Sequence, residues 1–312
     1  GRINSISISS NDVSSGGSPA EGIESIRFNN PRHYQTQENA ITASNFRNII
    51  LENFPSISDV NVYSGGVTST SVQYGIIFIA LVTKNGNPAT EALKNTIQTF
   101  IQDLDIINYQ VVFVDPDILY LNVNTNVHVD FDSSNVSVAD YKLFVANNIA
   151  NFSANNIQKF NTPFRYSQFG DSIDEIDSSI LSNETTISMK KYANVIINTN
   201  NSLVVNFNNP IANVSSSPFI ISGNTYYLTD NSSGYIYISQ FISNNSVLKS
   251  VGTINYSNGL INISNLNISN FPTNSSSFYL TANPTNKDIY CVGNDILEID
   301  TINGLNIAIS NN

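Results

Sequence analysis

The chain has 312 residues, enough for two or three domains, and its 41% hydrophobic content can fill real cores, which excludes wholesale disorder. Only 12% of residues are charged, so the polar surface is built mainly from neutral side chains, with Asn at about one residue in six. The net charge of −11, from 24 acidic and 13 basic residues, argues against a nucleic-acid surface: counterion release needs clustered Lys and Arg, and the longest basic run is Lys190-Lys191.

The single cysteine, Cys291, excludes an internal disulfide framework and has no metal-ligand spacing. The longest apolar run, Ile76 to Val82, has the length of a buried strand and falls far short of the ~18 residues of a membrane span, so no membrane insertion is expected. The chain starts Gly-Arg rather than Met, and we expect it to continue an upstream segment.

Residues 1–30 alternate Ile3, Ile6 and Ile8 with Ser and then turn polar, which fits either a short strand and loop or a disordered end. From Ile41 the spacing predicts a helix carrying Phe46, Ile49, Ile50 and Phe54, N-capped by Thr42 or Ser44 and ended by Pro55. Val60–Tyr63 reads as a strand closed by Ser64-Gly65-Gly66, and Tyr74–Thr83 as a buried strand closed by Asn85-Gly86-Asn87. A second helix after Pro88 would place Ala92, Leu93, Ile97, Ile101 and Leu104 on one face, and Gln110–Val114 returns as a strand. This order describes an α+β unit over 31–118, with helices on one face of a sheet.

A second α+β unit is expected over 119–197. Leu119, Leu121, Val123, Val127, Val129 and Phe131 share one strand face, Tyr141–Phe152 is helical by spacing, and Ile187–Ile197 reads as a strand. Phe160–Phe169 and Ile173–Ile180 fit strand or helix. Across 198–312 the helical period disappears. Short apolar segments (203–207, 219–228, 235–241, 251–256, 260–268, 278–280, 296–299) alternate with Asn, Ser and Gly, and Asn258-Gly259 and Asn303-Gly304 favour tight hairpins. The fold class is therefore α+β: two small α+β units followed by an all-β C-terminal unit.

Little here suggests catalysis. The two histidines are His33, in a loop beside Arg32 and Tyr34, and His128, out of phase with the apolar face of its strand and so a surface residue; no serine sits in a Gly-x-Ser-x-Gly elbow. Asp171, Asp174, Glu175 and Asp177 lack the glycine and ligand spacing of a calcium loop and read as a solvated helix start; Asp130 and Asp132 read as the outward face of a strand. Asn-x-Ser/Thr triplets at Asn135, Asn151, Asn183, Asn213 and Asn267 are what chance supplies in this composition. No catalytic, cofactor-binding or metal-binding residue is assigned, and no cofactor is expected.

One order of residues is distinctive: Ser15-Gly16-Gly17, Glu21, Glu24, Arg27, Asn30-Pro31, Thr36, Glu38-Asn39-Ala40-Ile41-Thr42 and Asn45-Phe46. It resembles the core of the baseplate J-like and T4-type wedge proteins, where a Gly-Gly loop and acidic residues precede an arginine, an Ala-Pro step and an Asn-Arg-Ala-Val-Thr-x-x-Asp-Tyr helix start. Here Asn30 replaces the Ala, the Arg of the helix start is missing, and Asn45-Phe46 replaces Asp-Tyr. Val60–Gly66, Tyr74-Gly75 and Val114-Asp115-Pro116 continue the likeness. Phe164-Arg165-Tyr166-Ser167, Ile173–Ile180 and Gly252–Leu260 are similar to the gene product six family of contractile phage baseplates.

That resemblance implies an architectural subunit of the virion tail baseplate, assembled in the bacterial host cytoplasm. It would form a homodimer, link wedges into a ring around the tail hub and contact other wedge proteins. Its glycines, Pro31 and Thr42 would set backbone geometry. A receptor- or glycan-binding module is the competing reading, suggested by the Asn/Ser/Tyr-rich C-terminal part with tyrosines such as Tyr226 and Tyr235; a hydrolase using His33 or His128 is remote.

Overall fold

A computed structural model describes residues 23, 42–64, 75–84, 88–103, 110–132, 135–240, 247–273 and 277–311. The expectations for the N-terminal strand, the motif from Ser15 to Ile41, His33, Gly65-Gly66, Tyr74, the turn at 85–87 and Leu104 lie outside these residues.

Helix α1 (Ala43–Asn53) starts where Thr42 accepts the backbone N–H of Asn45 at 3.2 Å, and it stops before Pro55. Strands β1 (Ile57–Ser64), β2 (Ile76–Thr83) and β3 (Gln110–Val114) form a sheet in the order β1-β2-β3. β1 runs antiparallel to β2, whereas β3 is parallel to β2. A parallel neighbour requires a crossover, and helix α2 (Glu91–Gln102), capped by Thr90, lies on that connection. Both helices cover one face, where Phe46, Ile49, Ile50, Ile97 and Ile101 pack on Ile77, Ile79 and Leu81. Ala92, expected on that face, is exposed instead, while its neighbour Leu93 packs against the cluster.

The even-numbered residues of β2 explain its unbroken apolar run. Ala80 and Val82 are buried on the opposite face with Phe160 and Ile296, so β2 is covered on both sides, as such runs usually are.

All later strands belong to a second sheet. β4 (Asp117–Val129) and β5 (Ile180–Ala193) are joined by β6 (Asn200–Asn206), β7 (Ile211–Ser216), β8 (Phe219–Ile221), β9 (Asn224–Asp230) and β10 (Tyr235–Gln240). β11 (Val247–Asn255), β12 (Leu260–Asn267), β13 (Phe278–Pro284), β14 (Asp295–Ile299) and β15 (Leu305–Asn311) complete the twelve strands. The stretches 119–197 and 198–312 share this sheet and one apolar cluster, which runs from Leu119 on β4 to Ile299 on β14. Helix α3 (Val138–Phe152), capped by Ser137, buries Tyr141, Val145, Ile149 and Phe152 in that cluster. A π-helical turn, Ser153–Ile157, follows it.

The structure resolves one open alternative and changes the reading of the C-terminal strands. The ambiguous segment contains helix α4 (Tyr166–Asp174), which buries Phe169 and Ile173 at i, i+4 spacing. β7 was not among the strand segments expected, and β15 was implied only by the hairpin turn expected at Asn303-Gly304. Asn303-Gly304 does not close a hairpin: β14 and β15 both run parallel to β4, β14 along Asp117–Leu121 and β15 along Val123–Val129. They form one interrupted strand, and residues 300–304 loop out between its halves. By contrast, Asn258-Gly259 joins the antiparallel pair β11–β12, with Gly259 at φ 73°.

Within that pair Gly252 is the tightest point, since a Cβ there would lie 2.3 Å from the backbone carbonyl oxygen of Asn262. Gly252→Ala is therefore expected to destabilise the protein by about 1–3 kcal/mol through overpacking, read as a lower urea midpoint with an unchanged slope.

Candidate functional site

Among the described residues, those weighed for chemistry do not converge. His128 Nδ1 meets Ser310 Oγ at 2.9 Å and its Nε2 lies 4.0 Å from exposed Glu184, on the open face of the sheet. Asp171, Asp174, Glu175 and Asp177 occupy the end of α4 and the turn beyond it, not a helix start. Carboxylates are unfavourable at that end of the macrodipole, and local donors offset this. Asn183 donates to Asp174 at 2.8 Å, and the Ser179 hydroxyl and backbone N–H donate to Asp177 and hold its carboxyl below the usual range. Asn183, one of the triplet asparagines, is thereby engaged. The Cys291 thiol is pushed up to about 12 by burial and then by Asp295, so it is not a ready nucleophile. Asp130 is half-buried and Asp132 exposed at the end of β4. Of the two tyrosines singled out for glycan contact, Tyr235 is exposed and Tyr226 packs against the core.

The feature that the sequence reading passed over is Lys190-Lys191. Neighbouring residues of a strand face opposite sides, yet both lysines are buried, at 2% and 4% exposure. On the core side Lys191 Nζ contacts Asp117 at 2.6 Å and Asp295 at 3.7 Å. On the other side Lys190 is ion-paired with buried Asp300, and its ammonium lies 5.2–6.0 Å from the ring centroids of Tyr279, Tyr192 and Tyr120. Asp300 also accepts the backbone N–H groups of Ile302 and Asn303, which shapes the loop between β14 and β15.

The carboxylates respond in opposite directions. Burial tends to raise Asp300, but the Lys190 hydrogen bond and the two backbone donors prevail and hold it below the usual range. Burial prevails at Asp295 and raises it, against the pull of Lys191 and of Asn208.

Two further carboxylates tie distant segments together. Asp59, buried on β1, accepts Arg47 at 2.7 Å on one oxygen and the backbone N–H of Phe160 at 2.9 Å on the other, which fastens the small sheet to the large one. Asp288 accepts Arg165 at 2.7 Å and the backbone N–H of Tyr166 at 3.0 Å, serving as a remote N-cap for α4 and lying below the ordinary carboxylate range for those reasons. These arrangements fix registers between segments far apart in the chain. They do not assemble a nucleophile with a base.

Residues 42–119 match the family model described as baseplate structural protein gp6, C-terminal domain I, and residues 117–192 match its C-terminal domain III. The chain is similar to the baseplate wedge protein gp6 of Enterobacteria phage T4, 24% identical over 176 residues. That match covers 56% of this chain and 26% of the relative, so the chain spans about a quarter of the relative's length. Among solved structures, a chain from the cryo-EM structure of the anti-feeding prophage baseplate, 6-fold symmetrised, aligns with 55% of this chain and 38% of its own length. The TM-score is 0.43 and the identity 14%.

Asp300→Ala would leave the buried Lys190 ammonium without its carboxylate and is expected to cost about 3–5 kcal/mol. A carboxyl lowered on folding contributes stability that is present above its unfolded pKa and is lost as pH falls through the folded value. Urea titrations from pH 7 to pH 3 should therefore show a shallower acid loss in Asp300→Asn than in the parent. Asp295, raised on folding, has the opposite sign: its contribution is present at low pH and lost as pH rises through its folded value.

Proposed function

Because residues 42–192 of this chain belong to the baseplate structural protein gp6 family, we propose that it is the C-terminal portion of an inner wedge subunit in a contractile tail baseplate. In this reading the protein is architectural and non-enzymatic and sits in the virion. It pairs with a second copy, joins neighbouring wedges into a ring around the tail hub and touches other wedge proteins. The single observation that carries this is the continuous run of two gp6 C-terminal domain matches, which meet at residues 117–119, where β4 begins.

The physical character of the molecule supports it. The pairs Lys190–Asp300 and Lys191–Asp295 lie inside the fold, where they fix the position of one strand against another, as a scaffold requires. The surface is mainly neutral, and Ile196 and Val204 stand 69% and 72% exposed. Exposed aliphatic side chains of this kind favour burial against another subunit.

Light scattering on the eluting chain tests the pairing. A mass near twice 34.1 kDa is expected at high concentration, with Ile196→Asp combined with Val204→Asp returning it to the monomer without lowering the melting temperature. A strictly monomeric parent would count against self-association.

A further inference from the structure

We propose that a fork in the large sheet accepts an extended polypeptide segment of a partner protein as an added strand. This goes beyond the assembly reading and does not require it. β13 pairs with β5 only over Met189–Ala193, through Phe278–Ala282, while its other edge pairs with β7 from Leu280 to Pro284, with a register shift between Asn283 and Pro284. From Ser188 back towards Thr185, β5 therefore has β4 on one side and, among the described residues, no strand on the other. A cleft of about 700 Å³ opens there, lined by Thr185–Ser188, by Asn283–Lys287 and, across β4 at Asn122–Asn124, by Asn303–Asn306.

Backbone direction shows what the cleft offers. The Thr185 carbonyl accepts the Tyr166 hydroxyl at 2.6 Å, and Tyr166 lines the cleft, so this carbonyl points away from β4. Alternate residues of a strand direct their N–H and C=O groups to the same edge. The N–H and C=O of Ile187 consequently face the fork, in line with the edge that pairs with β13 from Met189 onward. An unpaired donor and acceptor at strand spacing are what an incoming extended backbone satisfies. On the opposite wall Pro284 has no N–H, so the recognising edge is that of β5.

Charge then narrows the partner. The lining includes no Asp or Glu; its polar side chains are amides and hydroxyls such as Asn124, Thr186 and Asn286, and its one cation is exposed Lys287, 4.5 Å from the Tyr166 ring centroid. An acidic segment suits this cleft better than a basic one. A saccharide would lack the Tyr166 ring face on which to stack, because Lys287 lies over it.

The test uses the whole chain and an end-blocked pentapeptide of alternating Thr and Asp, with its Thr-Lys counterpart and a copy of the Asp peptide N-methylated at the central residue. The Asp peptide should slow hydrogen exchange at the Ile187 amide, and N-methylation should abolish that protection. Lys287→Glu should weaken the Asp peptide by roughly fivefold and strengthen the Lys peptide. The proposal is overturned if neither peptide protects Ile187, if the N-methylated peptide binds equally well, or if only a neutral maltooligosaccharide gives protection. Because every readout is binding to a single chain, failure here leaves the dimer measurement unaffected, and a monomeric chain can still bind the peptide.

Discussion

Successive residues of a strand point to opposite faces of its sheet, so burying both Lys190 and Lys191 demands an anion on each side of β5. Asp300 supplies one from the loop between β14 and β15, and Asp117 and Asp295 supply the other from the starts of β4 and β14. A buried ammonium without a partner costs several kcal/mol, whereas a paired one adds little net stability. The constraint is therefore one of position. The C-terminal strands must lie parallel to β4 at one register, because a slip would leave a charge buried and unpaired. The aromatic enclosure of Lys190 by Tyr120, Tyr192 and Tyr279 adds β13 to the same arrangement.

Once β4, β5, β13, β14 and β15 are held together, the rest of the molecule has fixed attachment points. α3 packs its apolar stripe into the core cluster, and α4 is held by Asp288, which lies between β13 and β14 in the chain. The small sheet meets the large one through Ala80, Val82, Phe160 and Ile296, with Asp59 bridging Arg47 and the Phe160 N–H. The two sheets are thus joined by a short apolar contact, the buried carboxylate of Asp59 and the hydrogen bond from Asn61 to the Gly293 carbonyl.

The same geometry creates the fork. β13 leaves β5 after Ala282 but stays paired with β7 to Pro284, while β5 continues alongside β4, and the gap between β13 and β5 leaves part of the β5 edge open. The lining of the cleft carries no carboxylate and a single cation, so recognition there falls to backbone edges, amides and hydroxyls.

Much of this was legible in the sequence, because helices and strands follow from local spacing and caps. Thr42, a cap candidate by its place before the apolar period, begins α1 where its hydroxyl meets the Asn45 N–H, and Thr90 and Ser137, which the spacing did not single out, cap α2 and α3 in the same way. The odd-numbered apolar residues of β4 are buried as their alternation required, with Thr125 filling the gap by bonding Thr185 at 2.8 Å. The order of motifs also indicated the wedge family, since motif order survives when individual residues change. Only the tertiary structure decided what Lys190-Lys191 does, that Asn303-Gly304 interrupts a strand instead of closing a hairpin, that the acidic cluster ends α4, and that the second and third stretches share one sheet. Each depends on a partner distant in the chain, Asp300 lying 110 residues beyond Lys190. Local pattern determines which face a residue presents; chain closure determines what meets that face.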